Sequence, residues 1–183
     1  MDRSSLIKKI NRGIRTALAG RVASKDFQRK RVYDFHDSIK EPLLEEYACH
    51  QLVRKLDRHW QMHTVDLYPA KCIYKEKDWI VAEGWALDKR YAAIQIPKLM
   101  ATQSIVAHEH AHGIVECFLN YEKTSIQDQG HGALWVGVFI WNYAYLLEKP
   151  YEFFEDLLKP FKIVTVDEET IKEFRSLFIN KYS

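Results

Sequence analysis

Between Ala133 and Leu147, fifteen consecutive residues carry one strongly polar side chain, that of Asn142. As a helix this run is about 22 Å long, short of the ~30 Å hydrocarbon core of a bilayer, so it predicts a helix buried within a folded protein. A helix that is apolar all round needs neighbours all round. The chain has material for them: its 183 residues are 47% hydrophobic and 13% aromatic, too apolar for disorder and long enough to bury a core without disulfides.

The neighbours are read from periodicity. Leu6, Ile10, Ile14, Ala17 and Leu18 recur at helical spacing over residues 4–23, although Gly13 and Gly20 weaken that helix. After Pro42 a second amphipathic helix, about Leu43 to Trp60, puts Leu44, Tyr47, Ala48, Leu52, Leu56 and Trp60 on one face. Between Val65 and Pro97 the pattern changes to short runs rich in Ile, Val, Tyr and Trp: Ala70 to Tyr74, Trp79 to Leu87 and Tyr91 to Ile96. They predict a small antiparallel meander. Helices follow over about 102–119, 133–147, 152–158 and 168–180, with a polar loop from Asn120 to Gly130 and an extended piece from Phe161 to Val166. The fold class is α+β, with helices packed on a small antiparallel sheet.

Charge divides the chain unevenly. The formal net charge is +2, yet residues 1–31 hold ten Lys or Arg against two Asp, a net +8 that leaves −6 for the remainder. We therefore expect a basic helical arm, residues 1–31, ahead of a single domain, residues 32–183. The arm suits phosphate contacts with nucleic acid or an anionic membrane surface; equally it suits docking on the domain with a solvated basic face. Cys49, Cys72 and Cys117 are widely spaced and form no CxxC pair, and the N-terminus lacks the apolar stretch of a signal peptide. A cytoplasmic protein with reduced thiols is expected, and the oligomeric state is left open.

Chemistry concentrates at residues 108–112, His-Glu-His-Ala-His. Each helical position advances about 100°, so His108 and His112 lie within roughly 40° of each other and can share one metal ion, whereas His110 falls about 200° away. Glu109 flanks the pair, available to take a proton from metal-bound water. Catalytic zinc sites use three protein ligands and leave one position open. A metzincin third ligand needs Gly at 115 and His at 118, where this chain has Val115 and Phe118; a thermolysin-like Glu falls near position 132, which is Gly132. His131, between Gly130 and Gly132, is the best third ligand, because the glycines let the backbone turn tightly beside a metal. Zn²⁺ held by His108, His112 and His131, with Glu109 as general base, is the expected site.

These residues resemble the SprT-like and Spartan-like zinc metallopeptidases, which combine a strand meander, an H-E-x-x-H helix and an H-G-x-x-aromatic element opening the next helix. His108-Glu109-His110-Ala111-His112 and His131-Gly132-Ala133-Leu134-Trp135 match both motifs. The chain is still more similar to a group of metallohydrolases of actinobacteria and their phages that add an upstream Q-R-x-x-V-Y element, matched by Gln28-Arg29-Lys30-Arg31-Val32-Tyr33. The resemblance spans about residues 28–147 and implies a minimal zincin that hydrolyses a peptide or amide bond. Two departures stand out: Ala133 replaces a frequent Pro, and the chain lacks the cysteines of the C-terminal zinc ribbon of SprT proteins, so Spartan's DNA-repair role does not carry over.

Two other readings compete with proteolysis. One is a non-catalytic, metal-stabilised module that binds nucleic acid or a protein partner through residues 1–31; Glu109 argues against it, since a scaffold has no use for that carboxylate. The other is an amide hydrolase acting on a small molecule. Further candidates are Glu116, eight residues past His108, as support for a ligand, the His59/His63 pair, and a tyrosine of the 133–147 helix as an oxyanion donor.

Overall fold

A computed structural model describes residues 2–18, 28–67, 81–122 and 130–180. These form seven α-helices, two short 3₁₀ turns and one three-stranded sheet, an α+β protein as expected. Among the described residues no helix is long and apolar enough to cross a membrane. The chain divides into two compact units, Met1–Ile39 with Lys123–Ser183, and Lys40–Glu122.

The first unit contains α1 (Arg3–Leu18), α2 (Arg29–Ser38), α5 (Ala133–Leu147), α6 (Tyr151–Leu158) and α7 (Glu168–Asn180). The apolar run is α5, and twelve of its residues are buried, Asn142 included. It begins after Gly132 and stops at Glu148, whose left-handed φ of 55° ends the helix two residues before Pro150. Ile171 and Val166 press on α5 at Gly137, where a Cβ would lie 2.6 Å from Ile171 Cδ1. The inward face of α1, Ile10 and Ile14, is buried, and α1 packs on α7. Gly13, which weakens α1 as a helix, is what admits α7: a Cβ there would sit 2.1 Å from Thr170 Oγ1. The Q-R-x-x-V-Y element lies at the start of α2. The side-chain amide of buried Gln28 donates to Val164 O (2.8 Å) and accepts from Val164 N–H (2.7 Å), Arg31 donates to Lys162 O, and Val32 is in the core.

The second unit contains α3 (Glu46–Trp60), β1 (His63–Leu67), β2 (Glu83–Asp88), β3 (Tyr91–Gln95) and α4 (Gln103–Glu122). Sheet order is β1-β3-β2. The β2–β3 hairpin is antiparallel, but β1 pairs parallel with β3, His63 opposite Tyr91, so the sheet is mixed and not the antiparallel meander expected. Alternation along a strand encodes which face is buried, not the direction of its partner. The expected strand at 70–74 lies outside the described residues, and β1 was not foreseen.

The buried stripe of α3 also differs from expectation. It runs through Cys49, Val53, Leu56, Asp57 and Trp60, while Tyr47 is 74% exposed. The stripe lies about one helical position round from the expected one and includes a buried acid, and Leu44 precedes the helix because Glu45 is still extended (φ −69°, ψ 155°). Two glycines bring α4 onto the sheet. A Cβ on Gly84 would lie 2.0 Å from the Glu109 carbonyl oxygen, and one on Gly113 would lie 2.7 Å from Ala92 Cβ.

Candidate metal centre

Nitrogens of His108, His112 and His131 all lie within 4.8 Å of one another. His108 and His131 are buried and His112 is half-buried. The His108 and His112 rings come from adjacent turns of α4, with centroids 5.1 Å apart. His131 follows Gly130, whose φ of 57° is left-handed backbone that a glycine adopts without strain. The His131 ring packs edge-on against buried Trp135, 4.4 Å between centroids, and Trp135 stacks on Phe139 in the next turn of α5. An aromatic column thus fixes the third imidazole.

The donor set fits a zinc ion. Three imidazoles suit borderline-soft Zn²⁺, and two nitrogens on one ion are separated by no more than about twice a 2.0–2.1 Å bond. Nitrogens on a tetrahedral zinc stand about 3.4 Å apart, so closing a 4.8 Å spread takes about 1.4 Å of ring movement. Among the described residues this is the group of histidine, cysteine and acidic side chains suited to hold a metal ion.

Glu109 is buried on the same helix, its Oε1 3.8 Å from His108 Nε2. Burial, reinforced by the like charges of Glu83 and Glu116, pushes its carboxyl up to about 8, and a hydrogen bond from the Gly84 N–H opposes that rise. Two turns along, Glu116 Oε2 accepts the Ala86 N–H at 3.1 Å. Two carboxylates of α4 therefore hold alternate amides of β2. Glu116 is accounted for by this strand contact, and burial raises its pKa too.

His110 faces the other way, as the helical spacing requires. It is buried, with Nε2 3.0 Å from Asp57 Oδ1. Asp57 in turn accepts the Thr64 Oγ1–H at 2.6 Å, the Thr64 N–H at 3.0 Å and Arg54 at 2.9 Å. Burial alone would raise the Asp57 pKa; the hydrogen bond and charge of His110 and the two Thr64 bonds outweigh it and lower it. Sequence reading did not find Asp57, because an acid inside an amphipathic helix looks like a solvated one.

Two residues of α2 stand beside His131 and were also missed. Tyr33 packs edge-on to it at 5.6 Å, with the Arg29 guanidinium over the Tyr33 ring. One turn later His36 is held neutral, its pKa pushed down to about 4 by burial and then by the charge of His131. The tyrosine next to the centre is thus Tyr33, carried by the Q-R-x-x-V-Y element, whereas Tyr143 of α5 stacks on Phe139 and Tyr145 is exposed. Of the His59/His63 pair, His59 packs edge-on to Trp60 and His63 stacks on Tyr91. Comparison with protein-family models, curated proteins and solved structures finds no match for the chain.

Proposed function

We propose that the protein is a zinc-dependent metallohydrolase of the SprT-like kind that cleaves a peptide or amide bond, with His108, His112 and His131 as ligands and Glu109 as general base. The observation that carries the proposal is the convergence of the three imidazoles within 4.8 Å, beside a buried carboxylate. When bound, Zn²⁺ supplies Lewis acidity, which lowers the pKa of water and polarises a carbonyl. The protein's own part is proton handling. Beside the positive charge of a bound metal, the Glu109 carboxyl would be drawn down from about 8 to its ionised form. In that form it accepts a proton and returns it to the leaving amine, while the Gly84 N–H fixes its orientation. Trp135 and Tyr33 both pack edge-on to the His131 ring.

A non-catalytic metal-stabilised module that binds nucleic acid or protein through residues 1–31 is the competing reading. The burial of Glu109 weighs against it, since a structural site has no reason to bury a carboxylate beside its ligands. Elemental analysis of protein purified without added metal tests the ligand set: one zinc per chain is expected, lost on His131→Ala. Glu109→Gln should retain the metal and lose hydrolysis of a casein or peptide-library substrate. Hydrolysis at parental rate by that variant would refute the base assignment.

A further inference from the structure

On the Asp57 side of α4, away from the histidine cluster, Arg54, Asp57, Arg58, Gln61, His63 and Arg90 line a cleft of about 460 Å³. We infer that this cleft binds a phosphate group. Three guanidiniums meet there, Arg54 and Arg58 one turn apart on α3 and Arg90 from the β2–β3 turn, and the acid lining it is Asp57. That carboxylate is already engaged at both oxygens by Thr64, His110 and Arg54, so one spent negative charge faces three positive ones.

Two of the arginines are held in place before any ligand arrives. Arg54 Nη1 donates to Asp57 and to Thr64 O at 2.8 Å, and Arg90 Nη1 donates to Gln61 O at 2.8 Å. Arg58 is exposed and makes no ion pair or hydrogen bond among the described residues. The carbonyl end of α3 would repel an anion, but the Gln61 carbonyl at that end is covered by Arg90. A carboxylate has two oxygens and satisfies one guanidinium fork; a phosphate presents three oxygens to several forks at once. His63, which lines the cleft, stacks on Tyr91, and the exposed pair adds an aromatic surface of the kind that nucleobases pack against. The phosphate of a nucleotide, free or within a single strand, is the ligand chemistry that fits.

The test uses the full-length protein and three probes at constant ionic strength: inorganic phosphate, 5′-AMP and a fifteen-residue oligo-dT, each followed by calorimetric titration and thermal shift. Binding of at least one probe is expected. Arg58→Gln, at an exposed position, should weaken it about tenfold or more, because one charge-assisted fork is removed. Tighter binding of 5′-AMP identifies a free nucleotide and tighter binding of oligo-dT a strand; either supports the site. Lys8→Gln/Arg12→Gln in α1 and His131→Ala at the metal centre should leave the affinity unchanged, which separates this cleft from the basic helix and from phosphate on a metal. Absence of binding by all three probes, or unchanged affinity in Arg58→Gln, would overturn the inference.

Discussion

Gly84→Ala tests the contact between β2 and α4 that positions Glu109. The new Cβ would lie 2.0 Å from the Glu109 carbonyl oxygen, 2.8 Å from its carbon and 3.1 Å from its Cα, whereas Cβ contacts closer than 3.0 Å are essentially never found. Relief therefore takes about 1 Å of movement. All the atoms it meets belong to helix backbone, so no side chain can rotate away, and β2 must pull back as a strand already paired to β3. Inserting one methyl into packed structure costs about 1–3 kcal/mol, and a collision with rigid backbone belongs at the upper end. At roughly 2–4 °C per kcal/mol for a chain of this size, the melting temperature should fall by about 6–12 °C. Retreat of β2 also withdraws the Gly84 N–H from the Glu109 carboxylate and the Ala86 N–H from Glu116. Differential scanning calorimetry on metal-stripped protein measures the packing cost apart from metal binding. A variant melting within about 2 °C of the parent would mean that α4 does not rest on Gly84.

Three further outcomes follow from the same packing. Asp57 has a lowered pKa in the fold, so its contribution is fully present above the unfolded value of 3.8 and is lost as pH falls through the folded value. Denaturant titrations from about pH 6 to about pH 2 should show that acid-side loss in the parent and a flatter profile in Asp57→Asn; parallel profiles would refute it. His110→Ala should cost roughly 1–3 kcal/mol by leaving the buried Asp57 with Arg54 and Thr64 but without one partner, yet keep one metal per folded chain; a loss of metal matching that of His131→Ala would show that the helix face is wrong. Gly13→Ala should lower the melting temperature despite a gain of about 1 kcal/mol in helix propensity, because of Thr170, and Thr170→Ala should rescue it; a stabilised single variant would show that α1 does not dock on α7.

What could be read from the sequence followed the strength of local signals. The bounds of α5 and α7 coincide with the expected 133–147 and 168–180, since both have sharp ends: Gly132 and Pro150 around α5, and Asp167 before α7, whose Oδ1 accepts the Thr170 N–H at 2.8 Å. Strand β1 gave no such signal. His-Thr-Val-Asp-Leu mixes polar and apolar residues, its Val65 is half exposed, and it is a strand because β3 offers it an edge. Helix α2 is weakly signalled for a similar reason: its ten residues include six charged or histidine side chains, and long-range bonds from Gln28 and Arg31 anchor its start.

At the site the histidines were legible because ligand spacing is a local property, i to i+4 on one helix and a glycine-flanked third residue. The partner of His110 was not, because Asp57 is 53 positions away and only the fold brings them together. That hidden pair bears on the visible one. Around α4 a buried polar contact occupies the face opposite His108 and His112, so a turn of the helix about its axis that misplaced the ligands would also strip Asp57 of His110 within the interior. Losing a hydrogen bond to a buried carboxylate is costly even with Arg54 and Thr64 still in place, whereas apolar contacts such as Val106, Ala107 and Ile114 tolerate small rotations by repacking. The orientation of His108 and His112 is thus set in part by a hydrogen bond on the opposite side of the helix, and Asp57, Thr64 and His110 position the histidine cluster as Trp135 does.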